Sequence, residues 1–123
     1  MACPDNMAFD KNGNLWVTND MSEKDIGTAK YSMFGNNGLY FIPMSGKKAG
    51  MPILVATAPV DAELTGPWFT PDYKTLFLSV QHPGSGQRFN MKRATSQWPD
   101  GPGKLPRSAV VAIEGELFSQ LMA

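Results

Sequence analysis

A single cysteine, Cys3, and a single histidine, His82, are all that 123 residues offer of the side chains that most often ligate soft metals or activate nucleophiles. One cysteine excludes a disulfide framework and a Cys-x-x-Cys knuckle. One histidine excludes a multi-histidine metal site and leaves a Ser-His-Asp triad no second imidazole in reserve. Charge of one sign is missing too: eleven basic side chains meet eleven acidic ones, so the footprint of a nucleic-acid binder is absent. The longest apolar run, Ile53-Leu54-Val55-Ala56, falls far short of a membrane span, and the N-terminus carries no basic and apolar pair of regions typical of a signal peptide. Nucleic acid and membrane are therefore not expected partners. Gly-x-Ser-x-Gly, P-loop and Gly-x-Gly-x-x-Gly patterns are also lacking.

Turn formers and strand formers are what the chain has instead. Twelve glycines and ten prolines punctuate a sequence that is 42% hydrophobic, too interrupted for a helical bundle and too apolar for disorder. The length suits one domain with a modest core. Strands are expected at Asn14–Asn19, Gly38–Pro43, Pro52–Ala58, Lys74–Val80 and Ser108–Ile113, with Met7-Ala8-Phe9 entering the first hairpin. The near-continuous apolar character of Pro52–Ala58 predicts burial on both faces. Only Gly115–Met122 has helical composition. The eight methionines are expected to fill gaps in the core.

Phe9-Asp10-Lys11-Asn12-Gly13-Asn14-Leu15-Trp16-Val17 is echoed about sixty residues later by Phe69-Thr70-Pro71-Asp72-Tyr73-Lys74-Thr75-Leu76-Phe77-Leu78. Phe ends one strand, a polar turn follows, and an aromatic sits in the next strand. Such recurrence fits blades of a β-propeller, and equally fits two hairpins with common turn chemistry. The fold expected is all-β: about two antiparallel blades within one domain, repeating near 4–60 and 61–114, with a short C-terminal helix. Met21–Asn37 and His82–Pro106 read as long loops, the second locally basic through Arg88, Lys92, Arg93, Lys104 and Arg107 against Asp100. That cluster suits either a phosphorylated ligand or plain solvation.

Oxygen-bearing side chains fall at strand ends. Asp5 and Asn6 precede Met7-Ala8-Phe9, Asp20 closes the strand that returns beside it, and Glu63 stands alone in an uncharged stretch. Hard cations such as calcium take carboxylate, amide and carbonyl oxygens, so these positions suit a cation as well as they suit turn punctuation.

At these residues the chain resembles the C-terminal region of PhoX-type alkaline phosphatases. The resemblance is carried by Cys3-Pro4-Asp5-Asn6-Met7-Ala8-Phe9-Asp10 with Gly13-Asn14-Leu15-Trp16-Val17, and by Gly35-Asn36-Asn37-Gly38-Leu39 with Phe41-Ile42-Pro43. Ala62-Glu63-Leu64-Thr65-Gly66-Pro67, Phe69-Thr70-Pro71-Asp72, Val80-Gln81-His82-Pro83-Gly84, Ser96-Gln97-Trp98-Pro99-Asp100 and Ser108–Ile113 complete it in order. It implies an exported β-propeller, periplasmic or extracellular, several times longer than this chain, hydrolysing phosphomonoesters at a centre of iron and calcium. It implies that Asp5, and more weakly Glu63, are calcium ligands; that Cys3 is not the iron ligand; and that His82 has no catalytic role. On this reading the chain lacks most ligands and is inactive alone, its partners being the remaining blades or further copies of itself. A non-catalytic β-rich binding module and a calcium-dependent lactonase-like propeller piece are the alternatives. The lactonase type does not share Gln81-His82-Pro83-Gly84 or Trp98-Pro99-Asp100.

Overall fold

The computed structural model describes residues 1–86 and 94–123. Arg88, Lys92 and Arg93 of the expected basic cluster lie outside the described residues. Of the rest of that cluster, Arg107 is held by Asp100 through two hydrogen bonds of 2.6 and 2.9 Å.

The described chain is all-β with one short C-terminal helix. Strands β1 (Pro4–Phe9), β2 (Leu15–Asn19), β3 (Gly38–Ile42) and β4 (Ile53–Thr57) form a four-stranded antiparallel sheet in sequence order. Strands β5 (Glu63–Phe69), β6 (Leu76–Gln81) and β7 (Ala109–Ile113) form a three-stranded one, and α1 (Glu116–Leu121) follows. The first long loop contains a 3-10 turn, Ser32–Phe34.

The two hairpin turns at 10–14 and 70–75 share a plan. Asp10 N–H donates to Asn14 O and Gly13 N–H to Asp10 O; Thr70 N–H donates to Thr75 O and Tyr73 N–H to Thr70 O. The second turn is one residue longer, and Tyr73 takes the positive φ (56°) that Gly13 takes in the first (77°). Each turn is closed by an aspartate on backbone N–H groups, Asp10 on Asn12 and Asn14, Asp72 on Lys74. The carboxylate of Asp10 does more: it also accepts from the Asn14 amide and from Trp16 Nε1, tying the turn to the core.

Alternation decides which face is buried. Leu76, Leu78 and Val80 of β6 point inward while Phe77 faces out. Opposite them stand Trp16 of β2 and Leu39 and Phe41 of β3, and Phe118 and Met122 close the end. Trp16 is fully buried, with ring centroids of Phe41, Phe69 and Phe118 at 5.0, 5.7 and 5.7 Å. The two sheets thus bury their facing sides on each other.

Trp16 and Phe41 are covered by β5, β6 and α1, whereas Leu54, Phe77 and Val111 remain exposed or half-buried. Two expectations are corrected here. Strand β4 is an edge strand among the described residues, not one buried on both faces: there it pairs with β3 alone, and Leu54 is 49% exposed. Among the methionines, Met21 and Met122 fill the core, whereas Met7, Met33, Met44 and Met51 are exposed. The strand that Phe69 ends, Glu63–Phe69, runs through Gly66-Pro67; a register shift between Thr65 and Trp68 accommodates the proline.

Candidate functional site

Antiparallel pairing sorts the connections into two sets. The connections at 10–14, 43–52 and 70–75 lie at one end of the sheets. The start of β1, the end of β2, the start of β5 and the end of β6 lie at the other, together with both long loops. Asp5, Asp20, Glu63 and His82 are the chemistry-bearing residues at that second end.

Two irregularities bring the sheets together there. Strand β1 shifts register between Pro4 and Met7, and β5 between Thr65 and Trp68. Asn6 stands in the first bulge, and its Oδ1 accepts the Gly66 backbone N–H at 2.8 Å and the Thr65 hydroxyl. Its Nδ2 donates to Asp5 Oδ2 at 2.9 Å. One amide therefore staples β1 to β5 and orients the neighbouring carboxylate. The start of β1 is further fixed by Asp20 N–H on Cys3 O and by the buried Asn19, which donates to Ala2 O and accepts from Gly38 N–H.

Glu63 is poorly solvated for an acid at this end, its side chain 12% exposed. Burial first, then the charges of Asp20 and Asp5, push its carboxyl above the usual range, against the opposing pull of His82. Asp20 and Asp5 thus crowd Glu63, with one imidazole beside it.

The imidazole is well placed. His82 Nε2 lies 3.5 Å from Glu63 Oε2, and Nδ1 lies 2.9 Å from Ser85 Oγ and 3.5 Å from Glu23 Oε1. Its backbone takes a left-handed conformation (φ 37°), with N–H on Ser108 Oγ at 3.1 Å. The following turn is pinned by Gly84 N–H on Val60 O, and it leaves room only for glycine at 86: a Cβ there would stand 2.7 Å from the Asp61 carboxylate. Asp61 in turn accepts the Thr95 hydroxyl at 2.6 Å.

Sequence reasoning named Asp5, Asp20 and Glu63 and the structure gathers them at one end. It missed Glu23, hidden in a loop without period, and the staple role of Asn6; only the Asp5-Asn6 adjacency pointed to the latter. Cys3 is exposed, its Sγ 3.3 Å from the Tyr31 hydroxyl.

The donor chemistry fits a hard cation in part. The carboxylate oxygens of Asp5, Asp20 and Glu63 are of the type calcium takes. Among the described residues, however, no three His, Cys, Asp or Glu side chains stand close enough to hold a metal on their own. Iron finds no fitting set among the described residues, since Cys3 faces Tyr31 and no second soft ligand accompanies it.

Residues 1–84 match a family model described as alkaline phosphatase PhoX. Among solved structures, the chain is similar to Pseudomonas fluorescens PhoX in complex with vanadate, a transition state analogue, at 33% identity and a TM-score of 0.72. The match covers 94% of this chain and 18% of that one. Among curated proteins no relative matches.

Proposed function

For a chain that belongs to the alkaline phosphatase PhoX family, we propose that these two sheets are propeller blades that present Asp5 and Glu63 as cation ligands to a phosphomonoesterase centre completed by other parts of a longer protein. The observation that carries this reading is Glu63: a part-buried carboxyl whose ionisation is opposed by burial and by two neighbouring acids. A cation beside it relieves all three. The 18% span against the solved PhoX chain supports a division of the centre between this portion and others.

Bound calcium would supply charge neutralisation at phosphoryl oxygens. The chain's own part is to hold oxygens in place. Asn6 fixes Asp5 against β5, the β2 end sets Asp20 beside it, and the β5–β6 pairing presents Glu63 from the second sheet. Iron and export from the cytoplasm belong to the same reading, as properties of the whole protein; the iron would rest on ligands from elsewhere.

Two measurements test it. Calcium should bind the 123-residue chain weakly, in the millimolar range, on the order of the weakest extracellular sites; sub-micromolar binding would mean a complete site lies here. The chain should not turn over a chromogenic phosphomonoester. Metal-dependent turnover abolished by Asp5→Ala would overturn the reading of a divided centre.

A further inference from the structure

We infer that His82 is a positioning residue for Glu63, an imidazole that orients the carboxylate at the end of the sheets shared with Asp5 and Asp20. The inference rests on the cation-ligand role proposed for Glu63, but its geometry stands apart from any metal. Three chain segments meet at one ring: β5 through Glu63 on Nε2, the Met21–Asn37 loop through Glu23 on Nδ1, and the 82–86 turn through Ser85 on Nδ1.

The turn sets where the ring starts. The backbone is held at positive φ and anchored by Ser108 Oγ, and the ring itself is met by Ser85 Oγ at 2.9 Å from Nδ1. Among the described residues, Ser85 is the neighbour able to donate a proton to Nδ1, and it has a choice, for Glu23 Oε1 also lies 3.4 Å from its Oγ. When the hydroxyl donates to Nδ1, the ring proton stays on Nε2, the nitrogen 3.5 Å from Glu63 Oε2. Ligand carboxylates in metal sites are commonly oriented by such a donor, and its loss typically costs ten- to a hundredfold in metal affinity.

The placement also explains a feature of the sequence. Gln81-His82-Pro83-Gly84-Ser85-Gly86 supplies the ring, a proline and glycine to reverse the chain, a hydroxyl three residues on, and a glycine that fits under Asp61. Together they fix the imidazole.

The test uses the whole chain in two arms. Without metal, urea unfolding of His82→Ala, Glu63→Gln and the double variant forms a thermodynamic cycle. The effect of His82→Ala on the unfolding constant should differ about three- to tenfold between the unaltered chain and the Glu63→Gln background. Additive effects overturn the inference. With calcium, followed by amide shifts of Asp5, Asp20 and Glu63 in NMR titrations, His82→Ala should weaken binding about tenfold and His82→Gln, which can still donate from its amide, should recover most of it. Equal weakening by both variants overturns the inference. Absence of calcium binding in the unaltered chain, with the cycle still coupled, removes the cation role of Glu63 and leaves the positioning contact supported.

Discussion

Replacing Trp16 by alanine probes whether the two sheets form one folding unit. The indole is fully buried, touches aromatic rings from β3, β5 and α1, and donates Nε1–H to the buried Asp10 carboxylate at 3.1 Å. Truncating a buried tryptophan costs about 3–5 kcal/mol through lost transfer energy and the cavity left behind. Domains of this length have a total stability of about 6–18 kcal/mol at roughly 0.05–0.15 kcal/mol per residue. Trp16→Ala should therefore remove a large fraction of it. Trp16→Phe keeps an aromatic ring beside Phe41 but forfeits the Asp10 bond and part of the volume, and should cost about half as much. Phe77, on the outer face of β6, is the control: its truncation should cost about 1 kcal/mol. Urea unfolding followed by near-UV circular dichroism gives all three values. A loss below about 1 kcal/mol for Trp16→Ala would refute the reasoning, because it would mean that the sheets do not share this core.

The acidic end gives a pH prediction. Glu63 has a raised carboxyl pKa in the folded chain, so between the ordinary glutamate value and the raised one the folded state binds more protons than the unfolded state. Stability therefore falls as pH rises through that window, and Glu63→Gln should flatten the fall; a metal-free pH series of thermal midpoints that is unchanged by the substitution contradicts the assigned strain. Asn6→Ala removes the staple between β1 and β5 and should destabilise by about 1–2 kcal/mol, measured by urea midpoint, since water can reach the exposed Gly66 N–H. Self-association is expected through the faces that stay bare, where Met7, Phe9 and Trp68 are 62%, 59% and 72% exposed. Sedimentation velocity at micromolar concentration should show dimers or larger species, and a clean 13.4 kDa monomer would count against it.

The sequence by itself determined the local grammar. Short apolar runs bounded by turn residues placed β2, β3, β6 and β7, because strand formers between Gly, Asn and Pro signals have room for nothing longer. Turn chemistry located both hairpins, because an aspartate that closes a turn on backbone N–H groups does so whatever packs above it. Even the candidate ligands Asp5, Asp20 and Glu63 were legible, as acids at strand ends. What tertiary structure alone decided is which surfaces meet. Glu63–Phe69 became a strand despite Gly66 and Pro67 because a bulge there faces the bulge of β1, an arrangement invisible to either segment alone. Trp16 and Phe41 lie at the centre of the core because β5, β6 and α1 fold over them. Glu23 and His82, far apart in the chain, come together at one ring only because β5–β6 pairing and the first long loop end at the same side of the sheets. Local pattern is written in neighbouring residues, whereas the meeting of distant ones depends on how two twisted sheets stack, and no window along the chain contains that information.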